Sequence, residues 1–243
     1  MITVESLSVG FKHNKSVRTL LEALAFSVES GSIWAIIGRN GVGKTTLLKS
    51  ITGMHPALSG TVALEGTPMQ ELSSNQRARK MAVVTTERIN LGYLTVKELV
   101  ALGRHPYTGF WGYLDAADKE AVANAIQITE IESLQHKTID KLSDGEHQKV
   151  MIARALAQQT PVLFLDEPTA HLDLVNRIGV FKLIKKLAAE FGRTVVFSSH
   201  ELDLALDTAD HIILLDGSLN AVVGTPEMLR SKGHIKRVFN LSL

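Results

Sequence analysis

The chain has 243 residues, 26 Lys plus Arg against 25 Asp plus Glu, 45% hydrophobic residues and no cysteine. A chain of this size and composition buries a core without staples, and the missing cysteine excludes a disulfide framework, a thiolate metal site and a cysteine nucleophile. A formal net charge of +1 gives no global field to gather nucleic acid or anionic lipid, so no nucleic-acid partner is expected.

Residues 1–5 lack a charged region followed by an apolar stretch and do not read as a secretory signal. Alternating apolar positions at 3–9 and 60–64 predict an antiparallel flank, and the apolar run 32–37 predicts a buried strand. A helical segment follows at 46–52. From about 95 to 158 strand signals vanish, and three helix starts carry a capping residue followed three positions later by an acid: Thr95 with Glu98, Asp115 with Asp118, and Ser143 with Glu146. Runs at 162–165, 194–197 and 211–215 then predict further buried strands. The pattern is an α/β protein with a mostly parallel sheet, an antiparallel β flank and a helical insert at about 87–158 dividing a core of 1–86 and about 159–243. Its apolar runs are a few residues long against the roughly 20 needed to span a bilayer, so any membrane contact is expected through another protein.

Gly38-Arg39-Asn40-Gly41-Val42-Gly43-Lys44-Thr45 follows the first buried strand and opens a helix with Thr46, the context of a phosphate-binding loop. Its glycines let consecutive amides point at a phosphate chain, and the helix adds its positive dipole end. Lys44 contributes a mobile positive charge, and Thr45 a hydroxyl for Mg2+. Asp166 and Glu167 stand where the strand 162–165 leaves the sheet, the edge at which open α/β sheets bind ligands. Alternating side-chain direction sends Asp166 toward a metal and Glu167 toward a γ-phosphate, where a carboxylate positions and deprotonates water.

Leu142-Ser143-Asp144-Gly145-Glu146 opens a helix with inward positions Val150, Met151, Ala153 and Leu156. Locally it reads as a well-capped helix start, and the alternative reading makes Ser143, the Gly145 amide and the helix dipole a second anion site, free to serve a nucleotide held by another copy of the chain. Ser198-Ser199-His200-Glu201 ends the strand 194–197 and is expected to start another capped helix. His200 there is a candidate hydrogen-bond donor to a γ-phosphate.

With these four signals in order, the chain closely resembles an ATP-binding cassette (ABC) ATPase over essentially its whole length. No Asn-Lys-x-Asp guanine-reading motif is present, which counts against a GTPase. The resemblance implies a P-loop NTPase core that binds ATP with Mg2+, and a head-to-tail pair of copies sandwiching two ATP molecules between the phosphate loop of one and the 142–146 signature of the other. It makes Glu167 the catalytic base, His200 the γ-phosphate switch, Asp173 the cross-dimer aspartate, Phe11 the aromatic on which adenine stacks, and Asn40, Gly41, Gly43, Lys44, Thr45 and Thr46 nucleotide contacts.

Two positions depart from the family pattern. Asp144 stands where glycine is commoner, and the metal-sensing glutamine expected before the insert is replaced by Thr86 or Glu87, either of which offers an oxygen ligand. The segment 95–107 is similar to cassettes that energise import of iron-siderophore, heme or cobalamin chelates. That resemblance implies membrane permease subunits, a substrate-binding protein acting through them, a peripheral place on the cytoplasmic face of the membrane, and a docking groove lined by residues near 86–93. The competing reading is a soluble cassette ATPase of cluster assembly, translation or repair with no membrane partner.

Overall fold

Period-two burial runs through the central strands and decides the layering. In the computed structural model, which describes residues 1–13, 16–87, 93–109 and 111–239, β3 (Ile33–Gly38) is buried along its whole length. Ile33, Ala35 and Ile37 face one apolar layer, and Trp34 and Ile36 face the other. β8 (Thr194–Ser199) repeats the split, with Val195 and Phe197 against Val196, as does β7 (Val162–Leu165), with Leu163 and Leu165 against Val162 and Phe164. Strands buried on both faces require cover on both faces, the arrangement that parallel sheets adopt.

With β6 (Met81–Val84), β9 (His211–Leu215) and β10 (Ala221–Gly224), these strands form a six-stranded sheet of order β10-β9-β3-β8-β7-β6. It is parallel except at the β9–β10 edge. One layer is closed by an antiparallel sheet of order β2-β1-β4-β5, made of β1 (Ile2–His13), β2 (Ser16–Val28), β4 (Ser59–Leu64) and β5 (Thr67–Pro68), with α1 (Lys44–Ile51) between the sheets. The other layer holds α3 (Val96–Ala101), α4 (Ala116–Ile128), α5 (Asp144–Ala157) and α6 (Leu174–Ala189). Among the described residues four further helices are α2 (Ser74–Lys80), α7 (Leu202–Thr208), α8 (Pro226–Ser231) and α9 (His234–Phe239). No helix among the described residues is long and apolar enough to cross a membrane.

All three expected capping boxes form, and a fourth joins Ser73 to Gln76. The donated backbone N–H of Thr95 holds the Glu98 carboxyl below its ordinary pKa, and that of Ser143 does the same for Glu146. Between β6 and β7 no strand occurs among the described residues, only an isolated bridge between Thr95 and Thr138.

Several local expectations are corrected. β2, β5, β6 and β10 add to the expected strands: their alternation is short or broken, β2 and β10 are held by the chain neighbours β1 and β9, and β6 gains its pairing from β7, distant in sequence. The helix after the phosphate loop begins at Lys44 rather than at Thr46. Ser198 and Ser199 continue β8, and α7 starts at Leu202 with no side-chain cap at Glu201. The two hydroxyls are engaged elsewhere: Ser198 donates to Asp166, and Ser199 accepts the Glu201 amide at 2.9 Å.

Arg104, at the end of a 3₁₀ turn after α3, ties the helical layer together. Its Nε donates to Asp118 of α4 at 2.8 Å, and Nη1 donates to the Ala157 carbonyl at 2.7 Å and to Gln159 at 2.9 Å. The Arg104 hydrogen bond holds the Asp118 carboxyl below the ordinary aspartate value. Folded Asp118 therefore gives up protons more readily than unfolded Asp118, so its stabilisation is complete above the unfolded pKa of roughly 4 and is lost as pH falls through the lower folded value. Asp118→Asn should lower the urea midpoint at pH 7 and flatten its decline below about pH 4. An acid limb identical to that of the parent chain would contradict this role.

Candidate functional site

The carboxyl ends of β3, β7 and β8 meet at one pole of the central sheet because their parallel registers are nearly level: Leu165 lies opposite Phe197, and Ile37 opposite Ser199. The phosphate loop leaves β3 there. Gly41 and Gly43 take left-handed φ values of 79° and 111°, which side-chain-bearing residues rarely adopt, and Gly43 is the N-cap of α1 without any side-chain cap. Gly38 has ordinary backbone and is small for another reason. A Cβ there would lie 2.8 Å from the Leu215 carbonyl oxygen and 2.8 Å from Val42.

Lys44 is 5% exposed, and its ammonium is engaged by partners within the chain. Its Nζ donates to the carbonyls of Gly38 at 3.0 Å and Arg39 at 3.4 Å and pairs with Glu167 Oε1 at 2.9 Å. Glu167 Oε2 lies 2.8 Å from His200 Nδ1. The order is thus a charge chain, ammonium to carboxylate to imidazole, across three loops. Glu167 itself has a left-handed φ of 45°, a conformation that costs a non-glycine residue about 1–3 kcal/mol and that marks sites where a side chain is aimed by its surroundings.

Asp166 has different partners and is 2% exposed. Its Oδ1 accepts the Thr45 hydroxyl at 2.9 Å and the Ser198 hydroxyl at 2.7 Å. Its Oδ2 is buried without a partner. The divergence of Asp166 from Glu167 comes from the turn after β7, which ends at Leu165, rather than from strand alternation. A buried carboxylate oxygen with no donor beside a threonine hydroxyl is an oxygen set suited to a small hard cation such as Mg2+. Ser198 went unassigned in the sequence, although it lies in the quoted Ser-Ser-His run. Its hydroxyl donates to Asp166 and accepts the Glu167 amide at 2.8 Å, so one side chain orients both acids.

Gly41, Gly43, Lys44, Thr45, Glu167 and His200 line a cleft of about 510 Å³ together with Asn40, Thr46, Ala170 and His171, and Asp166 adjoins it through its bond to Thr45. Phe11, 45% exposed, also lines it, tilted against His55 with centroids 5.2 Å apart. Arg18 and Leu20 of β2 also border the cleft, and both escaped the sequence reading because β2 did. Thr86 reaches the cleft, whereas the Glu87 carboxylate pairs with Lys49 at 3.3 Å. Of the expected docking segment, residues 88–92 lie outside the described residues, and Tyr93 is exposed.

The signature does not join this cleft. Ser143 accepts the Glu146 amide at 3.3 Å and donates its own backbone N–H to Glu146 at 2.8 Å, while Asp144 borders a separate cavity of about 90 Å³ that also touches Thr86, Glu167 and His171. Asp173 caps α6 by accepting the Asn176 amide at 2.8 Å. Arg39 and Val42 line a second cleft on the outer side of the phosphate loop.

The fold and this pole of the sheet define a P-loop nucleotide-binding protein. A family model described as ABC transporter matches residues 21–170. An uncharacterized ABC transporter ATP-binding protein of Methanocaldococcus jannaschii is 39% identical over 241 residues, 99% of this chain and 82% of that protein. The achromobactin transport ATP-binding protein of Dickeya dadantii is 35% identical over 240 residues, 99% of this chain and 88% of that protein. Among solved structures, an ABC transporter assigned to the metal-chelate type, in an inward-facing conformation, superposes with a TM-score of 0.85 at 25% identity, covering 99% of this chain and 89% of that one. The chain belongs to the ABC transporter family and is an ATP-hydrolysing subunit within it.

Replacing Ser198 with Ala leaves the Glu167 amide without its acceptor and removes a donor from Asp166. A lost buried hydrogen bond of this kind costs about 1–3 kcal/mol. The expected result is a lower melting temperature together with a fall in kcat of at least about tenfold, and Ser198→Thr, which keeps the hydroxyl, should recover most of the rate. Unchanged steady-state hydrolysis by Ser198→Ala would show that the two acids need no such bridge.

Proposed function

We propose that two copies of this chain close head to tail around two ATP molecules, that Glu167 serves as the base for hydrolysis, and that reopening drives import of a metal chelate through membrane permease subunits. The two-copy reading rests on one observation: the cleft at the β3–β7–β8 pole is lined by phosphate-loop residues, by Glu167 and by His200, but by none of residues 142–146. One chain therefore presents a nucleotide's phosphates with cationic and carboxylate groups on one side only. The capped N-terminus of α5 offers backbone N–H groups and a dipole for the opposite side of a nucleotide held by a partner.

Within one copy, an arriving γ-phosphate competes with Glu167 for Lys44, since the ammonium is neutralised by that carboxylate at 2.9 Å. Release from Lys44 frees Glu167 Oε1 to accept a proton from the attacking water, while His200 keeps the other oxygen in place and offers its ring to the phosphate. Water oxygen bonds to the γ-phosphorus as the bond to the β-phosphate oxygen breaks, with ADP leaving. Positioning and charge neutralisation supply most of the rate in such transfers. Thr45 and Asp166 would hold Mg2+, which when bound neutralises phosphate charge, and we assign the metal-side oxygen of the missing glutamine to Thr86 because Glu87 is turned to Lys49.

Chelate import is supported by the relatives, one named for achromobactin transport and one solved structure of metal-chelate type, and by the 95–107 segment. The division of residues 1–86 and about 159–243 from a helical insert at about 87–158 is supported by the run of α3, α4 and α5 without an intervening strand among the described residues. A peripheral position on the cytoplasmic face follows from the same reading, with a substrate-binding protein acting through the permease.

Glu167→Gln should bind ATP, accumulate as a dimer on gel filtration and lower kcat by at least about 100-fold. For the parent chain, specific activity should rise with protein concentration in the dilute range. Hydrolysis at full specific activity by monomers would overturn the two-copy reading. ATP-dependent uptake of a ferric siderophore by the chain with its copurifying permease checks the cargo class, and uptake confined to non-chelate solutes would remove it.

A further inference from the structure

Gly145 lies in the first turn of α5 with ordinary helical backbone, so its φ and ψ do not call for glycine. What excludes a side chain is Asn176. A Cβ at position 145 would stand 2.5 Å from Asn176 Cγ, 2.6 Å from Oδ1 and 2.8 Å from Nδ2, well inside the 3.5–4.0 Å of a normal contact. The Asn176 amide is held at this place by its own turn. Its backbone N–H donates to Asp173 Oδ1 at 2.8 Å and its Nδ2 to Asp173 Oδ2 at 3.0 Å, so one carboxylate grips both ends of the residue. The next residue anchors the same turn from the other side, with Arg177 Nε donating to the Leu172 carbonyl at 2.7 Å and Nη1 to Glu201 at 2.8 Å.

We infer that Asn176 is a positioning residue, which seats the N-terminus of the signature helix on the Asp173 turn and so fixes where the 142–146 loop meets a partner's nucleotide. The inference rests on the two-copy reading for its catalytic consequence, but the seat itself is a contact within one chain. Glycine at 145 is then required by an intramolecular key as well as by any approach of phosphate. The turn that carries Asp173 and the loop that carries Ser143 are in this way packed against each other through the Asn176 amide.

A displacement of about 1 Å at a reacting group costs on the order of 100-fold in rate. Gly145→Ala should therefore lower kcat by about that factor, and Asn176→Ala, which leaves the seat loose, by about tenfold. Both should leave the affinity of the single chain for a fluorescent ATP analogue within about twofold, because the phosphate loop lies elsewhere. The deciding variant is the double change. Removing the Asn176 side chain makes room for the new methyl group, so Gly145→Ala with Asn176→Ala should recover at least about tenfold in kcat, and several degrees in melting temperature, over Gly145→Ala alone. A double variant no better than Gly145→Ala in both measurements would overturn the proposal. Recovery of the melting temperature without recovery of kcat would also overturn it, because the contact would then serve packing only. Should Glu167→Gln fail to dimerise with ATP, the two-copy reading falls separately, and the melting temperatures still report on the seat.

Discussion

A buried ammonium has to be neutralised, and the site is arranged around that requirement. Lys44 is almost wholly enclosed, and an enclosed charge without partners would be prohibitively costly. Two carbonyls of its own loop and the Glu167 carboxylate satisfy it. For the carboxylate to arrive, β7 must end level with β3 although β8 lies between them, and the parallel registers of β3 with β8 and β8 with β7 deliver that. A one-residue slip of β7 would turn Leu163 and Leu165 to the wrong layer and carry both acids away from the loop, so core packing and site geometry enforce the same register. The same neutralisation also makes the site responsive, because a phosphate that takes Lys44 necessarily releases the group that handles water.

A second consequence concerns the two acids. Adjacent in sequence, they have separate tasks because Ser198 stands between them, donating to one side chain and accepting the backbone N–H of the other. Asp166 is left with an oxygen that nothing in the chain satisfies, and Glu167 with both oxygens on cationic or donor groups. The first arrangement suits a cation, and the second holds a base in reserve.

The signature loop is satisfied by its own capping box, so the donors it offers outward come from backbone amides and the helix dipole. Its position relative to the cleft depends on α6. That helix touches the signature through Asn176, caps itself through Asp173 and reaches Glu201, next to His200, through Arg177. One helical turn thus connects the part of the chain that faces its own nucleotide with the part offered to a partner.

The amino-acid sequence by itself determined what depends on neighbours in the chain. The phosphate loop, the three expected capping boxes and the strands 162–165 and 211–215 follow from glycine spacing, from a hydroxyl or acid three residues before an acid, and from unbroken apolar runs, all of which act over a turn or a strand. The ABC resemblance came from the order of such local signals. Only the tertiary structure decided that Lys44 pairs with Glu167 and two loop carbonyls, that Ser198 bridges Asp166 and Glu167, that Glu87 turns to Lys49 while Thr86 stays at the cleft, and that Asn176 accounts for the smallness of Gly145. Each of these contacts joins residues about 30 or more positions apart, apart from the loop carbonyls on Lys44. Periodicity carries no information about which distant side chain fills a given space, so sheet register and helix packing had to supply it.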